Sequence, residues 1–145
     1  MPEDNLGTDP VEIVKRSFDA WNASTDDFEP LRVFFEEAGP DIVWDFTRFE
    51  GWPDRVTYSG LDGTRSLWET WVGTWTDFRT EPLRIEGLGN AVFAQGRQTA
   101  RGRGSGVAVE VEFSQVTWFN ERGQATRNAF YSDLDAALEA AGLSG

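Results

Sequence analysis

The candidate chemistry of this chain begins with one carboxylate in an apolar stretch, Asp45, which lies between Trp44 and Phe46 in the segment DIVWDFTRFEG. Burial in an apolar pocket raises the pKa of a carboxyl and prepares it as a general base, whereas a neighbouring arginine lowers the pKa and leaves a structural ion pair. Asp45 is therefore either a proton-transferring group in a pocket or a structural partner at a strand end.

A second polar residue, Gln115, interrupts an apolar file in the segment Val107 to Phe119. Alternate residues of a strand face the same side, so Gln115 shares its face with Val111 and Phe113. A buried amide needs hydrogen-bond partners. Gln115 is either a structural hydrogen-bonding residue or a ligand-binding group deep in a pocket, and the sequence leaves both open.

The composition removes several kinds of chemistry. The sequence contains no cysteine and no histidine, which excludes disulfides, thiol nucleophiles, Ser-His-Asp triads and zinc sites built on thiolate or imidazole. No spaced acidic motif such as a calcium loop is present. We expect neither a metal ion nor a cofactor.

The net charge of the chain limits the kinds of partner that it can bind. A formal net charge of −12 repels phosphate backbones and anionic lipid headgroups, so we expect no nucleic acid and no membrane as partner. The sequence has no apolar run of about 18 residues and no basic segment followed by an apolar one. These observations predict a soluble cytoplasmic protein.

Helical periodicity predicts three helices in the first half of the chain. The first follows the cap Asp9 and runs from Pro10 to about Asn22. The second follows the polar cluster at 24–27 and stops before Gly39, and the third follows Gly60 with Trp68, Trp71 and Trp75 on one face. Residues 1–9 lack periodicity and are expected to be a flexible segment before a single domain at 10–145.

Strand periodicity dominates the second half of the chain. A first strand at 42–46 places Val43 with Asp45 on one face, and a loop at 47–59 follows it. Four longer strands are predicted at 79–87, 91–101, 107–119 and 124–132, with a last helix at 134–141. The predicted fold is α+β, a curved antiparallel sheet with helices on its concave face that forms a cone with an internal pocket.

Four segments, SFDAWNAST, DIVWDF, GLDGTRSLWETW and ARGRGSGVAVEVEF, occur on elements in an order that resembles the SnoaL-like branch of the nuclear transport factor 2 superfamily. The resemblance covers residues 10 to 143 and implies the cone fold. That superfamily includes isomerases, dehydratases, epoxide hydrolases, cyclases and binding proteins without activity, so the fold alone does not choose a reaction.

The resemblance also implies roles for single residues. Asp45 matches the general base of the ketosteroid isomerase relatives, whereas their oxyanion-hole positions fall at about Ser17 and Gln115, which differ from the family pattern. Arg97 matches the arginine of the epoxide hydrolase relatives. The two aspartates of their Asp-Arg-Asp relay have no match.

The sequence therefore predicts a pocket for a small hydrophobic molecule, with Asp45 as the catalytic base. Gln115, Arg97 and Asn128 are expected as polar anchors, and Phe18, Trp21 and Val43 as apolar wall residues. The function is either an isomerase, cyclase or dehydratase acting on a carbonyl compound or a binding or dimerisation module without activity. The apolar residues Val116 and Trp118 predict a homodimer through their sheet face.

Overall fold

The computed structural model describes residues 9–49 and 56–143, and these residues contain four helices and six strands. The helices are α1 (Pro10–Asn22), α2 (Glu29–Ala38), α3 (Gly60–Thr74) and α4 (Leu134–Ala141). The strands are β1 (Val43–Arg48), β2 (Thr57–Ser59), β3 (Trp75–Leu88), β4 (Ala91–Gly102), β5 (Ala108–Phe119) and β6 (Ala125–Tyr131). Among the described residues no helix has the length and apolarity needed to cross a membrane.

All six strands form one curved sheet in the order β2-β1-β6-β5-β4-β3. The pairs β3–β4, β4–β5, β5–β6 and β1–β2 are antiparallel, as expected for hairpins, but β1 pairs with β6 in parallel. The sheet is therefore curved and largely antiparallel as predicted, and it is mixed because the β1–β6 pair is parallel. A parallel pair needs a long crossover, and the segment from β2 to β5 supplies it here.

Three helices, α1 to α3, cover the concave face of the sheet and form the main core with it. Helix α1 begins where predicted, because the Asp9 side chain accepts a hydrogen bond from Val11 N at 3.0 Å and Pro10 opens the first turn. Its other end is held to β3 by Asn22, whose amide donates to Thr80 O at 2.8 Å and accepts from Thr80 N at 2.7 Å. These bonds set the distance between helix and sheet.

Helix α4 lies on the convex face of the sheet, so the prediction that all helices share the concave face is corrected. Its buried residues Ala137 and Ala141 pack with a second apolar cluster that includes Phe93, Val116 and Ala129. Val116 is fully buried by this contact. The sheet face that was expected to form a dimer is therefore covered by α4 of the same chain. The homodimer stays a prediction, but an exposed apolar sheet face no longer supports it.

Two local predictions also change. Trp75 is the C-cap of α3 and the first residue of β3, so only Trp68 and Trp71 of the three predicted tryptophans are helical. Within the expected loop at 47–59, residues 57–59 form β2, while residues 50–55 lie outside the described residues. The expected flexible segment 1–9 also lies outside them, except for the helix cap Asp9.

Candidate functional site

A cavity of about 480 Å³ lies between the concave face of the sheet and helices α1 to α3. This volume is within the range of small-molecule sites, which runs from about 300 to 1,000 Å³. The lining residues come from all three helices and from β1, β3, β4, β5 and β6, with Phe49 beyond the end of β1. They are Ser17, Phe18, Trp21, Leu31, Phe35, Trp44, Phe46, Phe49, Leu67, Thr70, Trp71, Thr74, Trp75, Thr80, Gln98, Ala100, Val109, Val111, Phe113, Gln115, Asn128 and Phe130.

Aromatic rings form most of the wall at the inner end of the cavity. The Phe130 ring stacks on Phe46 with a centroid distance of 4.6 Å and on Trp44 at 6.3 Å. The Trp44 indole is fixed from the other side, because its Nε1 donates to Thr64 Oγ1 of α3 at 2.8 Å. Such rigid ring surfaces suit a flat apolar ligand.

Two amides, Gln115 and Asn128, are the polar groups of this inner end. Both residues are at least nine-tenths buried, and both line the cavity. Thr117 Oγ1 donates to Asn128 Oδ1 at 3.1 Å, which leaves the Asn128 amide nitrogen as a donor. Among the described residues, no side chain or backbone group bonds to the Gln115 amide. Gln115 can thus both donate to and accept from a bound molecule.

A second polar pair lies further along the same cavity. Thr80 Oγ1 donates to Gln98 Oε1 at 2.5 Å, and Gln98 Nε2 donates to Thr99 O at 3.2 Å. Both Thr80 and Gln98 are buried and line the cavity. Trp21, Trp71 and Trp75 provide the aromatic wall at this end, with ring-centroid distances near 6 Å between successive rings.

None of the described lining residues carries an ionisable side chain. The polar side-chain groups of the lining are hydroxyls, amides and the indole N–H groups of four tryptophans, none of which ionises at ordinary pH. Among the described residues there is also no cluster of three or more acidic side chains that could hold a metal ion. The cavity wall as described can bind and orient a molecule but offers no group with the pKa of a general base.

Asp45 lies away from this cavity. It alternates with Trp44 and Phe46, whose side chains line the wall, so its own side chain is on the opposite, convex face of the sheet. Its carboxylate accepts from Thr47 N at 2.8 Å and Thr47 Oγ1 at 2.6 Å and forms an ion pair with Arg127. The prediction that Asp45 lies in the cavity mouth is therefore corrected.

The surroundings of Asp45 also set its acidity. Burial raises the pKa of the carboxyl, but the hydrogen bonds from Thr47 and the charge and hydrogen bond of Arg127 lower it by more. The pKa of Asp45 is accordingly below its ordinary value, which is the opposite of what a general base needs.

Arg97 and Val43 also differ from their predicted places. Along β4, Arg97 alternates with the residues whose side chains face the cavity, so its own side chain faces the convex side. There it pairs with Glu81 at 3.2 Å, Glu110 at 3.3 Å and Glu112 at 3.7 Å. Val43 shares the convex face with Asp45 and does not line the cavity. Neither residue can contact a molecule bound in the cavity as described.

Four of the seven predicted site residues are brought together in the cavity, namely Phe18, Trp21, Gln115 and Asn128. Sequence reasoning missed Gln98 and Thr80. A signal for Gln98 was present, because it is the one polar residue in the inward file formed by Ala94, Gly96 and Ala100 of β4. The resemblance drew attention to Arg97, the neighbour with the opposite orientation.

The fold has clear structural neighbours. The chain is similar to a candidate SnoaL-like polyketide cyclase from Jannaschia sp. CCS1, with a TM-score of 0.70, 19% identity and coverage of 100% of this chain and 99% of that one. It is also similar to an NTF2-like protein of unknown function from Exiguobacterium sp. 255-15, with a TM-score of 0.69, 13% identity and coverage of 84% and 98%.

A third neighbour is a protein with a ketosteroid isomerase-like fold from Catenulispora acidiphila, in complex with trimethylamine. Its TM-score is 0.68, with 14% identity and coverage of 92% of this chain and 94% of that one. No family model matches the sequence, and no curated protein is significantly similar to it. The neighbours confirm the cone fold of the NTF2-like and SnoaL-like proteins, and at these identities they establish the fold alone.

Proposed function

We propose that this chain, which has the cone fold of the NTF2-like proteins, binds an uncharged, hydrophobic, ring-containing small molecule. The observation that carries the proposal is the composition of the cavity wall. Ten aromatic rings line it, its polar groups are amides, hydroxyls and indole N–H groups, and its described lining residues contain no charge. A charged ligand would lose its hydration there without gaining a counter-charge, which costs several kcal/mol.

The amide of Gln115 supports the same ligand chemistry. It is 4% exposed, faces the cavity and has no partner among the described residues. Because this amide faces the cavity, it can exchange a hydrogen bond with solvent for one with a ligand hydroxyl or carbonyl, at a net gain of about 0.5–1.5 kcal/mol. The ligand is therefore apolar over most of its surface and carries an oxygen function that reaches Gln115 and Asn128.

The alternative is an enzyme of the isomerase, cyclase or dehydratase type with Asp45 as its base, and one neighbour is described as a candidate polyketide cyclase. This role for Asp45 stays a prediction. Its convex position, its ion pair with Arg127 and its lowered pKa all favour a structural role instead. We therefore prefer a binding function to a catalytic one.

Matched probes test the proposal by calorimetry at pH 7. Biphenyl-4-carboxamide and biphenyl-4-carboxylate have nearly the same shape and differ in charge. We expect the carboxamide to bind at least about tenfold more tightly, because the carboxylate has no counter-charge in the cavity. The affinity for the carboxamide should be constant from about pH 5 to 8, since no described lining group titrates there.

Two variants locate the binding. Ala100→Phe fills the cavity from β4 and should abolish binding of the carboxamide, whereas Val107→Phe, at an exposed residue outside the lining, should leave it unchanged. Circular dichroism checks that both variants fold. Tighter binding of the carboxylate or of trimethylamine, or equal binding by both variants, would contradict the proposal.

A further inference from the structure

We infer that the cavity has two hydrogen-bonding ends, with Gln98 and Thr80 forming a second subsite opposite Gln115 and Asn128. Its ligand would then be an elongated aromatic compound with an oxygen function at each end. The inference rests on the proposed function and adds to it the length and polarity of the ligand. It assigns Gln98 and Thr80 as residues that determine specificity.

The strand register places the two ends at different levels of the sheet. Gln98 of β4 pairs with Val111 of β5, and Gln115 lies further along β5 on the same face. Gln115 lies four positions after Val111 in β5, which corresponds to about 14 Å at a rise of about 3.4 Å per residue. One small functional group cannot reach both amides, so each end requires its own oxygen.

Both ends line one cavity, and between them on β4 lies Gly96. This residue pairs with Phe113, which lies between Val111 and Gln115 on β5. A Cβ at position 96 would lie 2.7 Å from Phe113 Cζ, so the absent side chain makes room for the edge of the Phe113 ring beside β4. The Phe113 ring, whose centroid lies 6.4 Å from that of Phe18 of α1, forms part of the wall between the two ends, and both ends line the same cavity.

The second subsite has unused hydrogen-bonding capacity. The Thr80 hydroxyl donates its single proton to Gln98 Oε1, which leaves Thr80 Oγ1 as an acceptor. Gln98 Nε2 gives one proton to Thr99 O, and its second proton has no acceptor among the described residues. A ligand hydroxyl can therefore donate to Thr80 and accept from Gln98.

The depth of the two ends differs along β5. Val109 and Val111 are 37% and 43% exposed, whereas Gln115 is 4% exposed. The end at Gln98 thus lies nearer to the exposed part of the cavity, and the end at Gln115 lies deeper. A long ligand would pass the outer subsite before its leading end reaches Gln115.

Three probes of one shape test the inference, namely trans-stilbene, 4-hydroxystilbene and 4,4′-dihydroxystilbene, titrated by calorimetry at pH 7. Each additional hydrogen bond should tighten binding by about two- to tenfold, as expected from a net gain of about 0.5–1.5 kcal/mol per bond. We therefore expect the diol to bind most tightly and the unsubstituted hydrocarbon least tightly.

The variant Gln98→Leu distinguishes two ends from one. It should lower the affinity for the diol to that for 4-hydroxystilbene, while 4-hydroxystilbene itself keeps its affinity within about twofold by using the Gln115 end. Gln98→Met, which has a similar volume and no amide, should behave in the same way if Gln98→Leu folds poorly. The double variant with Gln115→Leu should also weaken binding of 4-hydroxystilbene.

Gln95→Leu is the matched control, since Gln95 lies on the same strand outside the cavity lining and should change no affinity. Equal affinity of the wild-type protein for the monophenol and the diol, or an unchanged diol affinity in Gln98→Leu, would overturn the inference. Both results leave the proposed function intact. Failure of biphenyl-4-carboxamide to bind would instead remove the proposed function itself.

Discussion

The two faces of the sheet carry different kinds of polar residue. On the convex face, Asp45 pairs with Arg127, and Arg97 lies among three glutamates. On the concave face, the polar groups of the described lining residues are uncharged amides, hydroxyls and indole N–H groups. Burial of an uncharged amide costs far less than burial of a charge. The comparison indicates that these charges lie on the convex face, each paired with an opposite charge, whereas the described lining of the enclosed face is neutral.

The largest expected effect comes from a charge placed under α4 on the convex face. Val116→Glu should lower the free energy of unfolding by about 3–5 kcal/mol, because Val116 is fully buried and its new carboxylate has no partner. Val107→Glu, at a 59% exposed residue near the start of β5, should change it by less than about 0.5 kcal/mol. Denaturant unfolding measures both. Equal effects would show that α4 does not cover the sheet.

A smaller effect is expected for Asp45→Asn. The variant loses a charge-assisted network, so its free energy of unfolding should fall by about 1–2 kcal/mol at pH 7. Because the pKa of Asp45 is lowered below 3.8 in the folded protein, this stabilisation exists above the ordinary pKa and is lost as the pH falls through the folded value. The difference between variant and wild type should therefore shrink below about pH 4.

The same variant separates a structural Asp45 from a catalytic one. Its affinity for biphenyl-4-carboxamide should equal that of the wild-type protein, since Asp45 does not line the cavity. A loss of about 100-fold in turnover of a carbonyl compound, at unchanged stability, is the result expected of a general base. That result would restore the catalytic prediction and contradict the division between the two faces.

The smallest effect is expected for Arg97→Gln. The side chain of Arg97 is 35% exposed and its three glutamate partners are more than half exposed, so the ion pairs contribute at most about 1 kcal/mol. Ligand affinity should not change. A weakening of more than about threefold would show that Arg97 reaches the bound molecule after all.

Much of the fold could be predicted from local patterns. The bounds of α1 were predicted correctly, because a cap, a proline and an apolar stripe agree there. The alternation within β1 was also read correctly, with Asp45 and Trp44 on opposite faces. The pattern could not show which face is concave, since α4 covers the convex face and makes both faces apolar.

The rest depends on contacts between distant parts of the chain. The parallel pairing of β1 with β6 joins residues that are far apart in sequence, and β2 has only three residues. Neither leaves a periodic signal. The second polar pair was missed for a related reason, because the partner of Gln98 is Thr80 of another strand.

The position of β1 has a consequence for how a molecule could enter and leave. Among the strands of residues 9–49 and 56–143, β1 joins the rest of the sheet through β6 alone, and β2 joins it through β1. Transient separation of β1 from β6 would move Trp44 and Phe46 away from Phe130 while the four-stranded remainder keeps its pairing. Proteins open locally in such units at less cost than global unfolding. We expect the rate at which β1 separates from β6 to set the residence time of a bound molecule.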